Sequence, residues 1–212
     1  FLGSSGLFYL GSALALGLRD KFEVYGTYNN HIIRIDGVSS SKVDILSSAE
    51  LQDFLNLVNP DCILYCAGIG FDEAAENPQA AELLHFKVPS FFFKFYKKPH
   101  LFLYFSTEAV FGQEVYPADR KCFIEKDAPG PKQSFGITKV SGEGVVMGSN
   151  PSSFVFRLAT LYGENMGGSF KVRSSWVNHI QNKIEKKQKV TAFTDQFRNF
   201  VYVGDVVRAV KK

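Results

Sequence analysis

The chain opens with Phe1-Leu2-Gly3-Ser4-Ser5-Gly6-Leu7-Phe8-Tyr9-Leu10-Gly11-Ser12-Ala13-Leu14, a glycine-rich stretch that joins the end of a strand to an amphipathic helix. Glycines at such a junction allow a tight turn and let backbone N–H groups approach a pyrophosphate at the helix N-terminus. The third glycine, Gly11, comes five residues after Gly6, where three is the usual spacing. Two alternatives follow: the loop bulges, or Gly11 serves helix packing only.

Short apolar runs alternate with amphipathic segments along the rest of the chain, which favours an α/β fold with a parallel sheet. Runs rich in β-branched and aromatic residues predict strands at 22–28, 62–66, 101–105, 154–158 and 200–203. The amphipathic segments between them predict helices at 12–18, 49–58, 78–95, 135–147 and 174–186.

Composition excludes several classes of protein. With 212 residues, 45% hydrophobic and 21% charged, the chain has the size and balance of one large globular domain. Its 24 basic and 21 acidic residues leave too small a net charge to indicate a nucleic-acid partner. No apolar run approaches the roughly 20 residues that cross a bilayer. The three cysteines and four histidines show no metal-ligand spacing, so we expect no metal site. Three cysteines also suit a reducing compartment, and we expect a cytoplasmic location without membrane association.

Acidic and small residues at strand ends are candidate cofactor contacts. Asp44, followed by Ile45, lies at the end of another expected strand, the third if the incomplete first strand is counted, where a carboxylate can accept a hydrogen bond from an adenine amino group. Cys66-Ala67-Gly68 follows the fourth strand, where the sheet edge passes close to a cofactor. Each segment also fits an ordinary turn, and both interpretations stay open.

Two further motifs carry polar groups that suit chemistry. Ser106-Thr107-Glu108-Ala109-Val110-Phe111-Gly112 follows the strand at 101–105, which puts a hydroxyl at the sheet edge where open α/β sheets bind ligands. Later in the chain stands Ser134-Phe135-Gly136-Ile137-Thr138-Lys139-Val140-Ser141-Gly142-Glu143.

These segments together resemble the extended short-chain dehydrogenase/reductase family, in its sugar-nucleotide branch of dTDP-4-dehydrorhamnose reductases and NAD-dependent epimerase/dehydratase proteins. The likeness covers nearly the whole chain and includes the stretches at 156–163 and 195–206. It implies a single NAD(P)-binding Rossmann-type domain over residues 1–212, built on a doubly wound parallel sheet. The first strand is expected to be truncated, and residues 162–200 to contribute to a small, truncated C-terminal substrate lobe.

The resemblance implies hydride transfer at a nicotinamide ring, served by a hydroxyl residue, a tyrosine and a lysine four residues after the tyrosine. Thr107 matches the hydroxyl position and Lys139 matches the lysine. In the family, this lysine stands beside the tyrosine on one helix face and lowers the pKa of the tyrosine phenol. The tyrosine position is Phe135. Because its ring has no proton to exchange, it cannot act as the general acid or base, a loss of roughly 10²–10⁴-fold in rate.

Three interpretations of Phe135 are open. The protein is a naturally inactive relative that binds nucleotide and regulates or scaffolds a partner, or the change is an engineered knock-out of the hydroxyl. In the third interpretation, Glu108 or Thr107 supplies the proton through a water molecule. A weaker alternative, suggested by the irregular glycine spacing, is a protein that has lost the cofactor as well.

The implied cofactor is NADP or NAD, with NADP slightly favoured. NAD-preferring folds carry an acid at the end of the second strand, where this chain has Asn29 and His31, with Arg34 further on. Asp36 reverses this preference if the loop folds back. The expected cofactor contacts are Gly3, Ser5, Gly6, Gly11, Asn29, His31, Asp44, Ile45, Cys66, Ala67, Gly68 and Lys139.

The implied substrate is a sugar nucleotide carrying a 4-keto sugar, which the protein reduces or epimerises. Arg198 is expected near the diphosphate, because a guanidinium fork suits phosphate oxygens, and Glu108 is expected to contact the substrate. Arg157 is expected to pin the sheet edge to the substrate lobe.

The resemblance has two further implications. His85 takes the place where relatives often carry an asparagine that supports the active-site helix; alternatively, it is a satisfied helix histidine. Relatives often dimerise through two helices per subunit, here 78–95 and 135–147, so a homodimer is compatible with the sequence.

Overall fold

A parallel sheet lies at the centre of the fold. A computed structural model describes residues 2–3, 8–30, 34–97, 101–112, 122–163, 176–191 and 199–212. The strands in these ranges are β1 (Leu2–Gly3), β2 (Val24–Tyr28), β3 (Val38–Lys42), β4 (Cys62–Cys66), β5 (Leu101–Thr107), β6 (Ser153–Leu158), β7 (Thr160–Tyr162) and β8 (Phe200–Tyr202).

The order of the strands is that of a doubly wound sheet. Strands β1, β4, β5 and β6 hydrogen-bond in the order β1-β4-β5-β6, and all of these pairs are parallel. Strands β2 and β3 form a second parallel pair, and β2 lies next to β1. The sequence of strands across the sheet is therefore 3-2-1-4-5-6, which confirms the predicted Rossmann-type α/β fold. Strands β7 and β8 form a separate parallel pair.

Helices connect the strands and cover the sheet. They are α1 (Phe8–Leu18), α2 (Ser48–Val58), α3 (Phe71–Glu76), α4 (Pro78–Glu82), a π-helix (Leu83–Lys87), α5 (Val88–Phe95), a 3₁₀-helix (Glu108–Phe111), α6 (Ser134–Ser149), α7 (Trp176–Glu185) and α8 (Val203–Val210). Each predicted strand is present with small shifts at its ends. Each predicted helix is present too, except that the one at 78–95 is divided. No helix in the described ranges is both long and apolar enough to cross a membrane.

Proline explains why the predicted helix at 78–95 is divided by a π-helical turn. Pro89 has no N–H, so the carbonyl of His85 loses the donor that an α-helix would give it. The N–H of Val88 bonds to Leu83 O and not to Leu84 O, as it would in an α-helix. This wider spacing between donor and acceptor is the π-helical pattern. Two buried tyrosines replace the missing donors: Tyr65 Oη donates to Leu84 O at 2.7 Å and Tyr104 Oη to His85 O at 2.9 Å.

The core has two parts, one on each face of the sheet. On β5, the side chains of Phe102 and Tyr104 join one cluster, and those of Leu103 and Phe105 join the other. This alternation follows from the two-residue period of a strand that is buried on both faces. The first cluster packs against α2, α5 and α6, and the second against α1 and α8. Much of the aromatic content of the chain is therefore core.

Helix α6 approaches the sheet at a glycine. A Cβ on Gly142 would collide with the carbonyl oxygen of His85 and the hydroxyl of Tyr104, which bond to each other. A Cβ on Gly144, two residues further along the same helix, would meet no atom within 4 Å. The close contact with the sheet therefore requires glycine at 142 and not at 144.

We expect Gly142→Ala to destabilise the protein by about 1–3 kcal/mol, because the new methyl group forces apart a packed interface. The matched variant Gly144→Ala should stabilise it by about 0.5–1 kcal/mol, since alanine is the better helix former. Urea denaturation of both variants measures the difference. Equal stability of the two variants would contradict the close approach of α6.

Candidate cofactor site and active site

The candidate cofactor site begins where β1 and β4 end. Gly3 is paired with Cys66 in the parallel register, and Ala67 and Gly68, which follow β4, are buried. Gly11 lies inside α1, and a Cβ there would stand 3.7 Å from Cys66 Cβ. This position supports the packing role for the third glycine. The predicted loop contacts Ser5 and Gly6 lie outside the described residues.

The adenine side of the candidate site lies next to β2 and β3. Asn29 directly follows β2 and is half-buried, whereas the predicted contact His31 is outside the described residues. Strand β3 ends at Lys42, so Asp44 follows the strand and does not end it, a small correction to the prediction. Its Oδ1 accepts a hydrogen bond from Leu46 N–H at 3.0 Å, and Ile45 is buried in the core. Asp44 thus shapes a turn at the sheet edge, as one of the two interpretations expected.

Lys139 is the buried cation of the site. Its side chain is almost completely inaccessible, and Nζ donates a hydrogen bond to Phe105 O at 2.8 Å. The ammonium also lies 5.0 Å from the centroid of the Tyr104 ring, within the range of a cation–π contact. Burial lowers the pKa of Lys139 to about 8, while the nearby Cys66 and Glu143 groups oppose that shift.

Thr107 and Lys139 lie at the same end of β5. Thr107 is the last residue of the strand, two residues beyond the carbonyl that binds Lys139. Its Oγ1 accepts a hydrogen bond from Ala109 N–H at 3.2 Å and so caps the 3₁₀-helix, which begins at Glu108. The structure therefore brings the predicted hydroxyl and the predicted lysine to one strand end.

Phe135 occupies the first turn of α6, on the same helix face as Lys139 four residues later. Its partly buried ring meets the His85 ring edge-on, with 5.6 Å between centroids, and the Phe71 ring at 6.0 Å. A phenyl ring offers no hydrogen-bonding group to this environment. The site thus places an aromatic ring, without a hydroxyl, one helical turn before the buried lysine.

His85 joins the loop after β4 to α6. Its Nε2 accepts a hydrogen bond from Ile69 N–H at 3.3 Å, so the ring proton lies on Nδ1 and is donated to Thr138 Oγ1 at 2.9 Å. Thr138 Oγ1 in turn donates to Ser134 O at 2.8 Å. Burial and the nearby charge of Lys139 lower the pKa of His85 to about 2. His85 is therefore a satisfied, neutral histidine that also supports α6, which unites the two interpretations of the sequence. The sequence analysis missed its partner, Thr138, although Thr138 adjoins Lys139 within the motif.

Arg157 has a partner on α6 that the sequence analysis did not predict. Its guanidinium pairs with Glu143 on α6, with Nη2 2.7 Å from Glu143 Oε2, so it ties β6 to the active-site helix. No described contact of Arg157 reaches the predicted substrate lobe. Arg198, the predicted diphosphate contact, lies outside the described residues.

The family model for the RmlD substrate binding domain matches residues 2–212. The chain belongs to this family. The match confirms the resemblance to dTDP-4-dehydrorhamnose reductases that the motifs predicted. The match also fits the geometry of the site. One edge of the sheet holds the buried Lys139, Thr107 at the end of β5 and the contact of Gly11 with Cys66 on β4.

Two curated relatives of the RmlD-family chain are similar in sequence. A probable low-salt glycan biosynthesis reductase of Haloferax volcanii is 27% identical over 96% of this chain and 66% of its own length. Methionine adenosyltransferase 2 subunit beta of Pongo abelii is 30% identical over 58% of this chain and 36% of its own length. The chain thus spans between about a third and two thirds of these relatives.

Solved structures share the fold of this RmlD-family chain. A dTDP-4-dehydrorhamnose reductase of Clostridium acetobutylicum superposes with a TM-score of 0.76 at 22% identity, covering 99% of this chain and 68% of that one. Other structures of the same fold were solved with NAD or with UDP-sugars bound. At these identities the likeness shows the fold alone.

The lowered pKa of Lys139 makes stability depend on pH. The folded protein releases the lysine proton near pH 8, whereas the unfolded chain keeps it until about pH 10.5. The stability of the wild type relative to Lys139→Met should therefore rise between pH 8 and 10.5, by on the order of 3 kcal/mol, and stay level below pH 8.

Denaturation at a series of pH values measures this difference in stability. The ionisation of tyrosines contributes equally to both proteins and cancels in the difference. Replacing the exposed Lys186 by methionine is the control and should give a level difference. A level difference for Lys139→Met as well would contradict the burial of a charged ammonium.

Proposed function

We propose that the chain is the dinucleotide-binding part of an NAD(P)-dependent protein that reduces or epimerises a 4-keto sugar nucleotide, with its chemistry impaired at Phe135. The observation that carries the proposal is the placement of Lys139 and Thr107 at one end of β5, with Phe135 one helical turn before the lysine. Membership of a sugar-nucleotide reductase family supports the class of substrate.

The residues of the site divide into those that hold the reactants and those that move a proton. Bound NAD(P)H would supply the hydride. The ammonium of Lys139 has donors to hold a ribose hydroxyl, and the Thr107 hydroxyl can donate to a substrate carbonyl. Reduction of a ketone also requires a proton on the new alkoxide oxygen, and Phe135 has none to give.

No described neighbour of Phe135 replaces the missing phenol. The His85 ring is in contact with Phe135, but it is fully buried, and its low pKa keeps it neutral with both nitrogens engaged. Glu108 and Thr107 stay the candidates for proton transfer through water, because both are partly exposed at the end of β5. Such a route would leave a slow residual reaction.

NADP is the cofactor we favour slightly over NAD. Strand β2 is followed by Asn29 and Asn30, so no carboxylate stands directly at its end to bind a ribose 2′-hydroxyl. Arg34 lies beyond them, is exposed, and is available to a 2′-phosphate. Asp36, also exposed, is the group that would favour NAD.

A non-catalytic nucleotide-binding subunit is the second candidate function. Phe135 favours it, because the change removes the proton donor and leaves the contacts of the ring in place. Similarity to methionine adenosyltransferase 2 subunit beta, named as a subunit of another enzyme, adds support. In this case the protein binds the dinucleotide and acts through a partner.

We expect Phe135→Tyr to raise the turnover number for reduction of a dTDP-4-keto sugar by about 10²–10⁴-fold, because it restores a positioned acid. The loss of NADPH absorbance measures the rate. Ile137→Tyr adds the same group at an exposed position of α6 and should change nothing.

The outcomes separate the candidates. A wild type as fast as Phe135→Tyr would contradict the proposed impairment. Binding of NADPH without turnover in either protein would favour the subunit function. A wild type that does not bind NADPH would contradict both.

A further inference from the structure

Arg157 connects three elements around the end of β5. It lies on β6, opposite Ser106 in the register. Nε bonds to both carboxylate oxygens of Glu143, at 3.1 and 3.2 Å, and Nη2 bonds to one of them at 2.7 Å. Both side chains are largely buried, at 19% and 8% exposure. This fork fixes the orientation of the guanidinium against α6.

The same guanidinium holds the chain that follows Thr107. Its Cζ lies 4.8 Å from the centroid of the Phe111 ring, at the end of the 3₁₀-helix, and Nη1 donates to Glu125 O at 3.2 Å. The Phe111 ring also stacks on Phe123, with 5.0 Å between centroids. Arg157 therefore contacts both the 3₁₀-helix and the segment 122–130.

The segment 122–130 returns to the 3₁₀-helix at its far end. Gly130 N–H donates to Val110 O at 2.9 Å. Gly112 has a φ of +73°, and a Cβ there would stand 2.5 Å from Gly130 O. The end of the 3₁₀-helix and the end of segment 122–130 are therefore in backbone contact at these two glycines. The 3₁₀-helix and segment 122–130 thus form one unit, which contains Glu108 and is capped by Thr107.

We propose that Arg157 and Glu143 are a positioning pair, which sets the unit of Thr107–Phe111 and 122–130 relative to the helix that carries Phe135 and Lys139. The effect on substrate rests on the proposed function; the effect on the unit itself does not. The hydrogen bonds and the ring contact of Arg157 lie on the side of Thr107 and Glu108, and Glu143 also lies near the Lys139 ammonium.

A buried ion pair is a costly way to gain stability alone. Desolvation of two charges offsets much of their attraction, and well-packed apolar residues often serve as well or better. A guanidinium, however, can bond to a carboxylate, stack on a ring and donate to a backbone carbonyl in fixed directions at once. Arg157 does all three. The arrangement therefore suits the control of geometry.

Hydrogen exchange tests the pair without any ligand. In Arg157→Met the amide of Gly130 should exchange at least about tenfold faster than in the wild type. In Arg157→Lys and Glu143→Gln the acceleration should be smaller. The amides of β4 and β5 should keep their rates. Arg208→Met removes an exposed partner of Asp205 and is the control, with no change expected at Gly130. An equal acceleration throughout the sheet, or none at Gly130, would overturn the proposal.

Calorimetric titration of the same variants tests the link to substrate. We expect the dissociation constant for dTDP to rise about tenfold in Arg157→Met, with that for NADPH changed less than about twofold. Equal losses for both ligands, or an unchanged dTDP affinity, would overturn the positioning of the substrate side. A wild type that binds no dTDP would contradict the proposed function, and the exchange result would still decide whether the pair positions the unit.

Discussion

The close approach of α6 to β5 is the contact on which the site depends. The approach is possible because position 142 is glycine. The Tyr104 hydroxyl and the His85 carbonyl occupy the space that a Cβ at position 142 would need, and they hydrogen-bond to each other. At this distance the Lys139 side chain reaches the backbone of β5 and its ammonium binds a carbonyl there. Without the approach, a buried ammonium would have no fixed partner, at a large cost in free energy.

In the function we propose, the site binds its ligands without a proton donor at position 135. In the proposed function, Lys139 and Thr107 hold the dinucleotide and the carbonyl compound from the end of β5. The aromatic position among them lacks its hydroxyl, and the histidine in contact with it is neutral and fully engaged. In the function we propose, ligand binding and catalysis are separable, because Phe135 lacks only the oxygen atom that would let the site donate a proton.

The sequence predicted most of the strands and helices, and the motifs around Thr107 and Lys139, because alternating apolar runs and short motifs are local signals; the doubly wound sheet followed from the family resemblance. The sequence did not predict the π-helix, although Pro89 within a predicted helix was the available signal. It also did not predict that Arg157 pairs with Glu143 on α6. These two omissions share a cause: the tyrosine hydroxyls and the carboxylate come from distant parts of the chain, and their spacing in sequence carries no information about contact.

Calorimetric titration with NADPH tests the central claim most directly, because the claim concerns binding and does not require turnover. The account predicts saturable binding of one NADPH per chain to the wild type, binding of similar strength to Phe135→Tyr, and a large loss of affinity in Lys139→Met. An absence of binding to the wild type, or full affinity in a folded Lys139→Met variant, would contradict it.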